Sequence, residues 1–201
     1  MRVDIFNTSE KYSIIYADPP WKYGGSGSCK GWPADFYYPT ISDEEIVDLL
    51  KEPLSRITER DCLLFMWATG PHLKERIAVG EALGFKYVTV GFVWHKKRAN
   101  TGNYTMSGCE FCLIFKKNSG KIPKDHVRNP GVLQFFEQRS FNHSEKPLYI
   151  AEQIKVMFPA SKKLELFART SKEGYDYWNN TKDDKVFNGQ YNYTSEDYNA
   201  I

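Results

Sequence analysis

The feature that most constrains this chain is the alternation of apolar, strand-length runs with stretches of helical spacing. Residues 13–17, 61–67, 86–94 and 163–168 are strand-like and mostly apolar, and amphipathic segments lie between them. Strands without a polar face need cover on both sides. The pattern therefore predicts an α/β fold, a mostly parallel sheet with helices on both faces. Ser42 followed by Glu45 is a capping box that opens a helix through about Leu50, with Ile46, Leu49 and Leu50 on one face. Pro71 in a first turn and Gly84 just past an end bracket a second helix. Residues 109–115 are expected to pair antiparallel with 86–94, because only a polar loop separates them. A third helix over 146–158 carries Ile150, Ile154 and Met157 and leads into the strand 163–168. Residues 181–201 are rich in Asn, Tyr and Asp without periodicity, which predicts a tail behind a catalytic domain of residues 1–180.

With 201 residues, 41% of them hydrophobic and 15% aromatic, the chain can fold as one domain without disulfide staples. Its four cysteines are irregularly placed. Cys109 and Cys112 have zinc-ligand spacing, but no second pair follows, and odd spacing on a strand sends the two thiols to opposite faces. No metal site is expected. The N-terminus lacks an apolar signal stretch and no apolar run reaches membrane-spanning length, so the expectation is a cytoplasmic protein without a membrane partner. A net charge of +2 is close to neutral, and a nucleic-acid partner must be argued from local patches.

The chemistry concentrates in Asp18, Pro19, Pro20 and Trp21, directly after the strand 13–17. An acid followed by two prolines offers a carboxylate and stiffened carbonyls at a strand's carboxyl end. Asp18 and the Pro19 carbonyl can accept hydrogen bonds from an exocyclic amine on a planar base, freeing the nitrogen lone pair for attack, while the Trp21 ring stacks on that base. Gly24, Gly25 and Gly27 follow as a candidate lid over the base pocket. Residues 95–104, with Lys96, Lys97, Arg98 and Tyr104, combine cations for phosphates with a ring for stacking in a loop that leaves a strand end. Lys116, Lys117, Lys121 and Lys124 are candidates to extend that basic surface. Glu165, flanked by Leu164, Leu166 and Phe167, is an acid in a strand that reads as buried, where it needs a partner. His143 is read as a hydrogen-bonded structural residue.

Five segments, 18–21 with 38–46, 92–96, 144–147, 164–169 and 174–179, occur in an order that resembles the DPPW-type adenine-N6 methyltransferases over roughly residues 4 to 180. The resemblance implies a Rossmann-like S-adenosylmethionine-dependent methyltransferase fold with permuted motif order. It implies methyl transfer to the N6 amine of adenine in nucleic acid, DNA more than RNA given the compact chain. RNA adenosine methylation, cytosine N4 methylation and a non-catalytic nucleic-acid-binding partner subunit stay open as alternatives, as does a homodimer. It also implies site roles: Asp18 in both sites, beside the target amine and the cofactor's amino group, Tyr38 near the substrate adenosine, Lys146 toward a ligand anion or the bound adenosine, and Glu165 on the cofactor ribose. Asp4 and Ile5 would clasp the cofactor adenine, with Arg169, Asn179 and Asn180 as further cofactor contacts. Trp178-Asn179-Asn180 lacks the glycine usual in the family's ending.

Overall fold

The computed structural model describes residues 1–22, 40–100, 104–128, 130–139 and 146–179, with the side chains of 98–100 outside that description. In chain order the elements are β1 (Tyr12–Ala17), α1 (Asp43–Ile57), β2 (Thr58–Thr69), a 3-10 turn (Gly70–His72), α2 (Leu73–Ala82), β3 (Phe85–Asn100), β4 (Ser107–Lys117), β5 (Phe135–Glu137), α3 (Leu148–Met157), β6 (Lys163–Leu166) and β7 (Asp176–Trp178). They form one sheet in the order β5-β3-β4-β2-β1-β6-β7. β1 lies parallel to β2 and β6, β7 parallel to β6 and β5 parallel to β3, while β4 runs antiparallel to both its neighbours. Every strand but β4 thus ends at the same edge, the one where ligands bind in open α/β sheets. Residues 1–3 run alongside β7 through the Arg2–Tyr177 bridge, which brings Asp4 and Ile5 toward that edge as well.

Side-chain alternation sorts the strands into two cores. Ile15, Ala17, Leu64, Met66, Leu113, Leu164 and Leu166 face α1 and α2. Ile14, Tyr16, Phe65, Trp67, Trp94 and Cys112 face α3 through Ile150, Ala151 and Ile154. Helices on both faces and a mostly parallel sheet match the expected class. The boundaries differ in instructive ways. Ser42 caps α1 with the full box, its Oγ accepting from Glu45 N at 3.2 Å and its own N donating to Glu45 Oε2 at 2.6 Å. The helix does not stop near Leu50 but continues through Pro53 to Ile57. An interior proline costs about 3 kcal/mol, and burying Leu54 and Ile57 on the same stripe as Ile46 and Leu50 returns about 1.5–3 kcal/mol each. Gly84, at φ 91, ends the α2 region in the left-handed conformation that glycine favours.

The loop expected from His95 is strand as far as Asn100, because β4 offers it a partner: His95 opposes Cys109 and Asn100 opposes Ser107. The register slips between those pairs, and Lys97 sits at φ 54 within the slip. β5 and β7 have three residues each, too few to show a period in sequence. Lys116 and Lys117 end β4 opposite Leu63 and Phe85, near the starts of β2 and β3. They therefore lie at the far edge of the sheet from the carboxyl ends of the parallel strands, as does Lys124, which lines a cavity of about 400 Å³ there with Ser13, Asp61 and Lys162. The expectation that these lysines extend one basic surface is corrected accordingly.

Candidate active site

Asp18 follows β1 directly, so the strand fixes its backbone. Lys146, just ahead of α3, donates from Nζ to Asp18 Oδ2 at 2.8 Å and lies 3.4 Å from Glu110 Oε2. Glu110 is on β4 and also pairs with Lys96 of β3. Arg169, after β6, approaches Asp18 Oδ2 at 4.0 Å. Strand alternation explains the gathering: Tyr16, Trp67, Trp94 and Cys112 all face α3, and Asp18, Lys96 and Glu110 follow the same alternation at the ends of their strands. Side-chain exposure is only 13% for Lys146, 15% for Asp18 and 10% for Glu110, so these charges face one another with little water between them. Burial would lower the Lys146 ammonium, but Asp18 and Glu110 more than offset it and hold it above the ordinary lysine range. Burial would raise the Glu110 carboxyl, yet Lys146 and Lys96 draw it below the ordinary glutamate range. The Lys146 ammonium also lies 5.5 Å above the Trp67 ring.

The prolines do as expected with one addition. The Pro19 carbonyl accepts from Trp21 N at 2.8 Å and the Pro20 carbonyl from Ile41 N at 2.9 Å, so the turn is closed by its own backbone. One lone pair of Pro19 O remains for a ligand. Among the described residues Asp18 Oδ1 accepts no hydrogen bond, which leaves it available to an amine.

Glu165 lies inside β6, opposite Tyr16 on one side and Tyr177 on the other. Its two oxygens accept from Lys172 Nζ at 2.6 and 2.8 Å. Burial raises its carboxyl above the ordinary range, with Lys172 opposing. β6 ends at Leu166, and Phe167 takes φ 57, unusual for an aromatic residue. This left-handed residue turns the chain, Ala168 N returns to Trp178 O at 3.0 Å, and Arg169 reaches Asp18. Asn179 follows β7, and its Oδ1 is buried with no hydrogen-bond partner among the described residues. An orphaned buried acceptor just past β7, the strand that pairs with the one carrying the buried Glu165, fits a ligand bearing hydroxyl donors, such as a nucleoside ribose.

Several sequence assignments are redrawn. Trp21 does not face Asp18's partners. Its ring is buried in the other core, against α1 and α2, with Nε1 donating to the Trp67 carbonyl at 3.1 Å and the Arg76 guanidinium 4.1 Å from the ring centre. With the Arg76 guanidinium on the ring and the rest buried, it is a core residue that anchors the Pro-Pro turn instead of a stacking platform. Lys96 is engaged by Glu110 and lies over Trp94, so it belongs to the charge network and not to an exposed phosphate contact. Lys146 meets the carboxylates of Asp18 and Glu110. Ile5 is wholly buried, and Asp4 caps its own turn, accepting from Phe6 N at 3.0 Å and Asn7 Nδ2 at 2.6 Å. Lys97 is exposed, with Glu137 at 3.5 Å. Tyr38, Asn180, His143, the Gly24–Gly27 stretch and the 181–201 tail lie outside the described residues, as does the Arg98 side chain. Glu110 and Lys172 were missed. An acid in the apolar run 109–115 carries the same signal that drew attention to Glu165, whereas nothing marks Lys172 in sequence.

The family model for MT-A70 matches residues 12–181. The chain belongs to the MT-A70 family. The Type II methyltransferase M.MunI from Mycoplasma sp is 44% identical over 186 residues, covering 84% of this chain and 77% of that protein. This MT-A70 chain is more distantly similar to the N(6)-adenosine-methyltransferase MT-A70-like protein of Arabidopsis thaliana, 26% identical over 84% of this chain and 22% of that protein. The N(6)-adenosine-methyltransferase catalytic subunit METTL3 of Homo sapiens is 27% identical over 79% of this chain and 26% of that protein. The chain therefore spans only about a quarter of these larger relatives. Among the described residues no helix is long and apolar enough to cross a membrane, and no cluster of three His, Cys, Asp or Glu stands ready for a metal.

Proposed function

We propose that this MT-A70 protein is a cytoplasmic enzyme that transfers a methyl group from S-adenosylmethionine to the exocyclic N6 amine of adenine in DNA, with residues 1–180 as the catalytic domain. The observation that carries the reading is Asp18: a carboxylate at the carboxyl end of β1, oriented through Oδ2 by Lys146 at 2.8 Å and ahead of two prolines, with Oδ1 accepting no hydrogen bond among the described residues. Bound cofactor supplies the electrophilic methyl group. Asp18 Oδ1 and the Pro19 carbonyl hold the amine by its protons, which turns the nitrogen lone pair out of the ring's conjugation. Lys146 fixes Asp18 through Oδ2, and Glu110 with Lys96 keeps Lys146 in place, so the acceptor needs no reorganisation when the base arrives. Arg169, Glu165 and Asn179 lie around the neighbouring strand ends, where their donors and acceptors suit a nucleoside and a carboxylate. Lys97 and Arg98 on the β3 extension suit the phosphate backbone.

DNA is favoured by the 44% identity with a Type II methyltransferase over most of its length. RNA is the second reading, favoured by the N(6)-adenosine-methyltransferases among the relatives. Mass spectrometry of nucleosides from DNA and RNA incubated with the protein and methyl-labelled cofactor decides: labelled N6-methyladenine from DNA is expected. Label on cytosine N4, or none in either polymer, overturns the proposal.

A further inference from the structure

Lys172 lies seven residues beyond Glu165, and its ammonium is committed to that one carboxylate, 2.6 Å from Oε1 and 2.8 Å from Oε2. Both side chains are nearly out of solvent, 11% and 7% exposed. An ionised carboxylate offers about four lone-pair sites. An ammonium bonded to both oxygens uses one on each and leaves one on each. The cis-diol of a ribose brings two hydroxyl donors to such a pair of acceptors. We propose that Lys172 is a positioning residue for the nucleoside of the cofactor: it holds Glu165 ionised and turned so that its two remaining acceptor sites meet the vicinal hydroxyls. The proposal rests on the reading of Glu165 as the acid that binds the cofactor ribose.

The surroundings explain why such a residue is needed. Tyr16 and Asp18 face Glu165 from β1, Tyr177 from β7, Tyr175 from the turn before β7, and Arg169 and Lys172 from the segment after β6. Burial is the largest influence on Glu165 and raises its carboxyl. Asp18 pushes it the same way, while Lys172 and Arg169 oppose. Without Lys172 the group would bind a proton at higher pH. A protonated carboxyl loses an acceptor site and the added strength of a charged one.

Calorimetric titration of S-adenosylmethionine into wild-type protein, K172M, K172R and E165Q, from about pH 6 to about pH 9, tests this. The wild-type Kd should be flat above about pH 7, and K172R should stay flat. K172M should bind about tenfold or more weakly at neutral pH and regain about tenfold per pH unit on raising pH, until Glu165 ionises. A structural role alone would weaken binding equally at every pH. K172M leaves a lone buried charge; if it fails to fold, E165Q/K172M, which buries none, replaces it. Because Lys172 acts through the carboxylate, that double variant should match the Kd of E165Q within about twofold, and a further tenfold loss would refute the assignment. A flat, unshifted K172M profile would also overturn it. E165Q binding as tightly as wild type would remove Glu165 from the ribose, and Lys172 with it. Absence of wild-type affinity for S-adenosylmethionine would instead overturn the methyltransferase reading itself.

Discussion

Lys146→Met is the perturbation that reads the candidate site most directly. The ammonium bridges Asp18 at 2.8 Å and Glu110 at 3.4 Å, and its removal leaves two carboxylates facing each other with little solvent. Breaking a buried pair by deleting one partner costs about 3–5 kcal/mol. Lys96 stays on Glu110, and Arg169 stays 4.0 Å from Asp18, so the lower end, about 3 kcal/mol, is expected. For a chain of this size that is a fall in melting midpoint of about 6–12 °C. The penalty should depend on pH with a definite sign. In the wild type Glu110 is held below its ordinary range, so it contributes stability above that range, and the contribution fades as pH falls through the depressed value. In K146M Glu110 loses one of its two counter-charges and titrates higher, so acidification relieves the variant first and narrows the gap to wild type. Urea unfolding followed by tryptophan fluorescence, at neutral pH and near pH 5, measures both terms. Adding D18N to K146M should recover about 1–3 kcal/mol, since Asp18 is the carboxylate left with only the more distant Arg169 at 4.0 Å. A loss under about 1 kcal/mol with no pH dependence would mean that the pair is screened by solvent, and the argument for a pre-set Asp18 would fall.

Asp18→Asn should lower kcat by about a hundredfold or more, with the cofactor Kd little changed, in single-turnover assays with labelled cofactor. Near-normal turnover would remove Asp18 from the chemistry. Trp21→Ala should cost about 3–5 kcal/mol in denaturant unfolding, because it empties a buried ring site under Arg76, and unaltered stability would return Trp21 to the base pocket. Lys97→Ala with Arg98→Ala should flatten the log–log salt dependence of DNA binding by about two units in fluorescence anisotropy, leaving cofactor affinity alone; an unchanged slope would take β3 away from the phosphate path.

The parts of the fold legible in sequence were those with a local cause. The strand 13–17, the Ser42 box and the Pro71-to-Gly84 bracket each carry their own signal, and β1, α1 and α2 begin or end where those signals stand. What escaped depends on distant chain. The continuation of α1 past Pro53 rests on core contacts of Leu54 and Ile57, and the extension of β3 to Asn100 rests on pairing with β4. The same division runs through the site. Asp18 and Glu165 stand out as acids in or beside apolar strands, but the partner of each is set by topology. β4 inserts between β2 and β3 and so brings Glu110 to Lys146, and the left-handed Phe167 turns Arg169 back toward Asp18.

That topology also explains a site with so many charges in a chain that is almost neutral overall. Asp18, Glu110 and Glu165 are acids that the proposed chemistry needs ionised in a region poor in water, and each is held by a lysine: Lys146, Lys96 and Lys172. Apolar residues of the same volume would hold the strand ends together as well or better. The pairs are therefore better understood through the acceptors they fix than through stability. A carboxylate already ionised, desolvated and aimed can take a hydrogen bond from an amine or a ribose hydroxyl without waiting for solvent to rearrange. The lysines come from three separate segments, β3, the start of α3 and the turn after β6, so each acceptor can be perturbed through its own counter-ion while its carboxylate stays in the sequence.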